Sequence, residues 1–136
     1  MGLAEKRALA AYQKDHFPAW KQKLNGVCGF ELEYDVAWDQ LAKDGYSPEY
    51  TAMFDYNFFQ PLEKSLASIC QDDLGREALK AKIKKVQITS TRSWSSMEVS
   101  VEGDILKVDA DPSYERSDGS VGDYADRIRT KLEAAL

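Results

Sequence analysis

Alternating apolar and polar positions mark the strands of this chain. The segment "FELEYDVAW", residues 30–38, places an apolar side chain at every even position, which predicts a half-buried strand. Two further alternating runs in "SMEVSVEGDILKVDA" surround Gly103-Asp104, a dipeptide typical of a two-residue hairpin loop with Gly first. The short segment "VQITSTR" predicts one more strand, with Val86 and Ile88 facing inward.

The hairpin loop specifies which residues face each other across the two strands. With Gly103-Asp104 as the loop, Glu98 faces Asp109 on the outer side, and like charges in that position destabilise a sheet. Three simple explanations remain open: the strand end frays, Lys107 or Arg116 reaches the pair, or the register is wrong at this end. The inner pairs are apolar: Val101 with Leu106, Val99 with Val108 and Met97 with Ala110.

Helical spacing of apolar residues predicts the remaining elements. Residues 3–24 form an amphipathic helix that Pro18 divides and Asn25-Gly26 ends. A second helical region, residues 48–85, begins at the cap Ser47 and contains two or three helices. Its breaks are expected near Pro61 and at Asp72-Asp73.

A last amphipathic helix closes the chain. Ser120 is expected to cap it, Asp123 takes the partner position of the capping box and pairs with Arg127, and Asp118-Gly119 forms the preceding turn. These elements predict an α+β fold over residues 1–136, in a single domain. Because the strands alternate, we expect one mainly antiparallel sheet of about four strands, packed on one face against helices that include N-terminal and C-terminal ones.

Charge and composition narrow the class of protein. The net charge is −5, from 23 acidic and 18 basic residues, and this excess of acid argues against a nucleic-acid binder. No apolar run approaches the length of a membrane span, so a cytoplasmic protein without a membrane partner is expected. Cys28 and Cys70 lie in apolar segments, as small buried thiols in a reducing compartment do.

Residues 108–124, "VDADPSYERSDGSVGDY", invite comparison with a calcium loop. The pattern fails at its two most restrictive positions, where Tyr114 replaces the required Gly and Ser120 replaces the bidentate Glu. No metal site or cofactor is therefore predicted. The familiar nucleophile and phosphate-binding motifs are also missing, and the single histidine, His16, is expected to pack in the core. A Cys28–His16 nucleophile pair stays an unsupported alternative, and the prediction leans against an enzyme with catalytic residues.

The leading hypothesis is a protein-binding module. Acidic side chains fall on the outer face of the predicted sheet, where they would attract a basic partner protein. Stand-alone inhibitors of basic toxins or nucleases, immunity proteins among them, have this physical character. The predicted partner-binding residues are Glu31, Glu33, Asp35, Glu98, Glu102, Asp109 and Asp111, with Trp94 as a loop anchor.

Two alternatives remain open. The aromatic segment could form a pocket, lined by Tyr50, Phe54, Tyr56 and Phe59 with carboxylates at its rim, in a small-ligand binder or hydrolase-type enzyme. The same segment or the first helix could instead form a homodimer contact.

Overall fold

One open sheet and a layer of helices make up the described part of the chain. The computed structural model describes residues 1–93, 96–114 and 117–136. The α+β class is confirmed, as are the N-terminal and C-terminal helices. The helices are α1 (Leu3–Asp15), α2 (Phe17–Cys28), α3 (Trp38–Leu41), α4 (Tyr50–Phe54), α5 (Gln60–Ile69), α6 (Asp73–Lys82) and α7 (Asp118–Ala135), and the strands are β1 (Glu33–Val36), β2 (Lys85–Thr89), β3 (Glu98–Glu102) and β4 (Ile105–Asp109).

The sheet is mixed, so the prediction of a mainly antiparallel sheet is wrong. Its strand order is β1-β2-β4-β3, in which β1–β2 and β2–β4 are parallel and only β3–β4 is antiparallel. The reason lies in the connection between β1 and β2, residues 37–84, which contains several helices. Such a long crossover returns the chain in the same direction. Alternation of apolar and polar residues indicates only that one face of the sheet is covered. It does not depend on whether neighbouring strands are parallel or antiparallel.

The β3–β4 hairpin has the predicted register. Glu98 pairs with Asp109, Val99 with Val108 and Val101 with Leu106. Gly103 begins the loop with φ 60°, a conformation that glycine adopts at no steric cost. Glu98 does face Asp109, so the alternative that the predicted register is wrong at this end is excluded.

The N-terminal helical region divides close to the predicted position. α1 ends at Asp15 and α2 begins at Phe17, one residue before Pro18. The predicted stop at Asn25-Gly26 is wrong, because α2 runs on to Cys28. Gly29 ends it with φ 79°, and its N–H donates to the Asn25 carbonyl at 2.8 Å.

Residues 47–69 form one continuous helical segment, without the expected break near Pro61. A 3-10 turn at Ser47–Glu49 leads into α4, and a π-helical stretch at Asp55–Phe59 joins α4 to α5. Pro61 falls in the first turn of α5, where its missing N–H is tolerated. The buried Asn57 ties the π-helical stretch to the loop after β4, because its amide donates to the carbonyl of Pro112 at 2.9 Å.

The starts of the last two helices give one confirmed and one corrected prediction. α6 begins at Asp73, at the predicted start, and Asp72 caps it by accepting from the N–H of Gly75 at 2.8 Å. α7 begins at Asp118, three residues before the expected start, since Ser117 is the cap and Ser120 its capping-box partner. Asp118-Gly119 accordingly belongs to the first turn of α7.

Candidate functional site

The outer face of the sheet carries charged and polar side chains from all four strands. Glu33 and Asp35 on β1 and Glu98 and Glu102 on β3 are exposed, and the outward residues of the two central strands are half-buried. The opposite face packs against the helices, and its aliphatic residues Val86, Ile88, Val99, Leu106 and Val108 are buried. The outer face includes a shallow concavity of about 270 Å³, lined by Gln87, Thr89, Glu98, Ser100, Lys107 and Asp109.

The acidic pair Glu98–Asp109 is compensated by residues next to β2. Arg92 donates to the carboxylate of Glu98. Asp109 accepts from the hydroxyl of Thr89 at 3.0 Å, and from the N–H and hydroxyl of Thr91 at 3.2 and 2.5 Å. These contacts offset the repulsion between the two carboxylates and hold both in one orientation.

Basic residues of the central strands lower the charge of the outer face further. Lys107, one of the two cations expected to reach the Glu98–Asp109 pair, lies 2.6 Å from a carboxylate oxygen of Glu102, and the other, Arg116, lies outside the described residues. Lys85 lies 4.0 Å from Glu33. Lys107, Lys85 and Arg92 make three cations against six carboxylates among the described residues, if Glu31, which precedes β1, is included. The face is acidic on balance, but less so than a count of acids along the sequence suggests.

One predicted partner-binding residue, Asp111, does not belong to this face. Asp111 follows the end of β4 and is only 3% exposed, where its carboxylate accepts from the N–H and hydroxyl of Ser113 at 2.9 and 2.6 Å. The carboxylate therefore organises the loop after β4. Trp94 lies outside the described residues.

The aromatic segment packs into the core, and three of its four predicted pocket residues are buried there. Tyr50, Phe54 and Phe59 are at most 2% exposed, while Tyr56 is half-buried. The rings of Tyr50 and Phe54 stack with their centroids 5.2 Å apart, and Tyr12 meets Phe54 edge-on at 4.9 Å. Burial raises the pKa of Tyr50 to about 12, helped by the nearby carboxylates of Glu5 and Asp44, and its hydroxyl donates to a backbone carbonyl.

A polar cluster beside these aromatic residues was missed from the sequence. Asp55, in the π-helical stretch, accepts at one carboxylate oxygen from the Tyr12 hydroxyl at 2.7 Å and the Trp20 indole N–H at 2.9 Å. It opens on a concavity of about 260 Å³ with His16 and Lys23. The sequence does contain a signal for this cluster, since Asp55 is a single carboxylate inside an aromatic run. A half-buried carboxylate needs hydrogen-bond donors nearby.

The placement of His16 differs from the expectation that it packs in the core. Its side chain is exposed and stacks on the ring of Tyr12, with centroids 5.3 Å apart. Cys28 lies at the other end of α2, roughly 18 Å away at 1.5 Å per residue. Burial and the neighbouring Cys70 raise the pKa of the Cys28 thiol to about 12. The separation along α2 keeps Cys28 and His16 from forming a nucleophile pair, and the buried Cys28 thiol is in addition a poor nucleophile.

Comparison with protein-family models, curated proteins and solved structures found no match to the chain. Within the described ranges, no group of three or more His, Cys, Asp and Glu side chains is arranged to hold a metal ion. No helix in that part of the chain combines the length and apolar character needed to cross a bilayer.

Proposed function

We propose that the protein is a non-enzymatic binding module whose outer sheet face receives a basic partner protein. The observation that carries this proposal is the exposure of Glu33, Asp35, Glu98 and Glu102 on an open sheet face where, among the described residues, carboxylates are twice as many as cations. Several of them are already held by ion pairs and hydrogen bonds, so little side-chain entropy is lost on binding. The partner class is a compact basic protein, as for inhibitors of toxins or nucleases.

The salt dependence of capture tests this proposal. Immobilised wild-type protein is expected to retain a basic partner from native lysate at about 0.05 M salt and release it at about 0.5 M, because screening weakens charge-steered association. The variant Asp35→Asn/Glu98→Gln should bind the purified partner at least about tenfold more weakly. Both positions lie on the outer face, one at each edge of the sheet.

A matched control separates the face from net charge. The variant Glu77→Gln/Asp123→Asn removes the same charge from exposed positions on α6 and α7, away from the outer face. It should capture the partner as the wild type does. Equal loss in both variants would mean that net charge alone governs binding, and undiminished capture in the face variant would contradict the proposal.

As an alternative function, we propose that a small ligand binds in the concavity beside Asp55 instead of within the aromatic segment. A carboxylate held by Tyr12 and Trp20, with an exposed imidazole beside it, could orient a small polar ligand. Such a ligand should raise the melting temperature of the wild type, but not that of Asp55→Asn, in a screen of small amines and alcohols. Equal shifts in both proteins would place the ligand elsewhere.

A further inference from the structure

The outer edge of β3 presents backbone hydrogen-bonding groups to solvent. β3 ends the strand order, and among the described residues only β4 pairs with it. Directly after β4, the N–H of Ala110 donates to the Thr89 carbonyl at 3.2 Å. The backbone N–H and C=O groups of even-numbered residues in β4 therefore point to β2, and those of odd-numbered residues point to β3. The register then turns the N–H and C=O groups of Val99 and Val101 away from β4.

A bond to α7 supports this assignment. Met97 is odd-numbered, like Val99 and Val101, so its backbone groups should point to the same side of the strand. Its carbonyl accepts from the guanidinium of Arg127 at 2.9 Å. This carbonyl therefore points across the outer edge and towards α7. β1, the other edge strand, has four residues and is preceded by Leu32, whose N–H donates to Asn25 at 3.1 Å. The longer edge open to a further strand is β3.

A groove of about 430 Å³ runs between this edge and α7. The buried side chains of Met97 and Val99 form its apolar floor, and Arg127, Thr130 and Lys131 on α7 form one wall. Arg127 also donates to the Ser96 hydroxyl at 3.2 Å, which fixes the wall relative to the strand. An added strand would thus place every second side chain in a preformed groove.

The charges along β3 decide what kind of strand fits. Glu98 and Glu102 lie on the outer face, with Ser100 between them. A second copy pairing antiparallel about Ser100 would set Glu98 against Glu102 of that copy twice, which disfavours self-association. Arg92 and Lys107 already pair with these two carboxylates, but both carboxylates stay largely exposed, so basic side chains on the outer face of an added strand would complement them further. On the groove side, Asp126 is paired with Arg129, so Arg127 and Lys131 leave the α7 wall positive, which disfavours basic residues, and the floor favours apolar ones.

We propose that the outer edge of β3 accepts an extended peptide segment as a fifth strand, with lysine or arginine alternating with apolar residues. This inference rests on the proposed function, since it specifies how a basic partner would engage the acidic face. Backbone bonds to Val99 and Val101 provide the pairing, and Glu98 and Glu102 select the basic side chains.

A fluorescent peptide of alternating lysine and valine is the probe for this site. It should bind the full-length protein saturably, at least about tenfold more tightly than a peptide of the same composition with its lysines in one block. Two N-methylated peptides complete the test, each blocking alternate N–H groups. Methylation of the N–H groups that face β3 should abolish binding. Methylation of the N–H groups that face solvent should leave binding intact. No saturable binding, or equal effects of the two methylated sets, would overturn the proposal.

Substitutions in β3 test the same pairing from the protein side. Val101→Pro removes an N–H that points away from β4, so the β3–β4 ladder survives and peptide binding is lost. Val101→Ala keeps the N–H and should bind within about threefold of the wild type. A folded Val101→Pro variant that binds normally would contradict strand addition, as would a wild-type dimer that Val101→Pro dissociates.

The failure of this inference can be distinguished from that of the proposed function. Asp35 lies on β1, about 14 Å from β3 at three strand spacings. Asp35→Asn should therefore weaken capture of the whole basic partner but leave the peptide affinity unchanged. Capture of the partner without any peptide binding would overturn strand addition alone, and peptide binding that both N-methylated sets leave intact would do the same.

Discussion

The aromatic cluster in the helical layer and the outer face of the sheet are stabilised in opposite ways. Tyr12, Phe54 and Phe59 exclude water almost completely, and the ring of Tyr12 contacts the rings of the other two. On the outer face, Glu98 and Glu102 keep 64% and 63% of their side-chain surface exposed although both are ion-paired. Burial of large rings supplies stability, whereas exposed ion pairs supply little of it. The outer face can thus change for binding at small cost to the fold.

The largest expected effect of a single substitution is in the aromatic cluster. Phe59 is fully buried and contacts Tyr12, Phe17 and Trp20. Phe59→Ala should lower the free energy of unfolding by about 3–5 kcal/mol, measured by urea denaturation, because the lost contacts leave a cavity. Tyr56→Ala, at a half-buried neighbour, is the control and should cost less than about 2 kcal/mol. Equal costs would mean that the cluster is not tightly packed.

A substitution with an intermediate expected effect on stability tests how closely α5 and α6 approach each other. A Cβ on Gly75 would stand 1.8 Å from the carbonyl oxygen of Ile69, where the start of α6 meets the end of α5. Gly75→Ala should destabilise the protein by about 1–3 kcal/mol in urea denaturation. Gly122→Ala in α7, where a Cβ meets nothing within 4 Å, should instead stabilise it by about 0.5–1 kcal/mol. A neutral Gly75→Ala would show that the backbone shifts at little cost.

The smallest effects are expected on the outer face. Glu98→Gln should change the free energy of unfolding by less than about 0.5 kcal/mol, because it removes both an exposed ion pair and a like-charge contact. Arg92→Ala leaves Glu98 facing Asp109 without its ion-pair partner and should cost up to about 1 kcal/mol. In a double-mutant cycle, Glu98→Gln should recover part of the loss caused by Arg92→Ala. Effects as large as those in the aromatic cluster would remove the contrast between the two regions.

Local patterns predicted some elements well and failed where contacts come from afar. The hairpin register and the start of α6 were correct, because a two-residue loop and an Asp cap act within a few residues. The start of α7 was misplaced by three residues, since Ser117 and Ser120 are both competent caps. The aromatic segment was interpreted in part as a pocket because periodicity cannot show that α1 and α2 cover it.

The sequence by itself determined which side chains of each strand point outward and which point to the core, since alternation follows from the pleat of a strand. Tertiary structure alone decided the strand order, and with it the nearness of Lys85 to Glu33 and of Thr89 to Asp109. It also brought Tyr12 to Asp55 across 43 positions of the chain. Such contacts arise when distant segments pack together, and periodicity within any one segment carries no record of them.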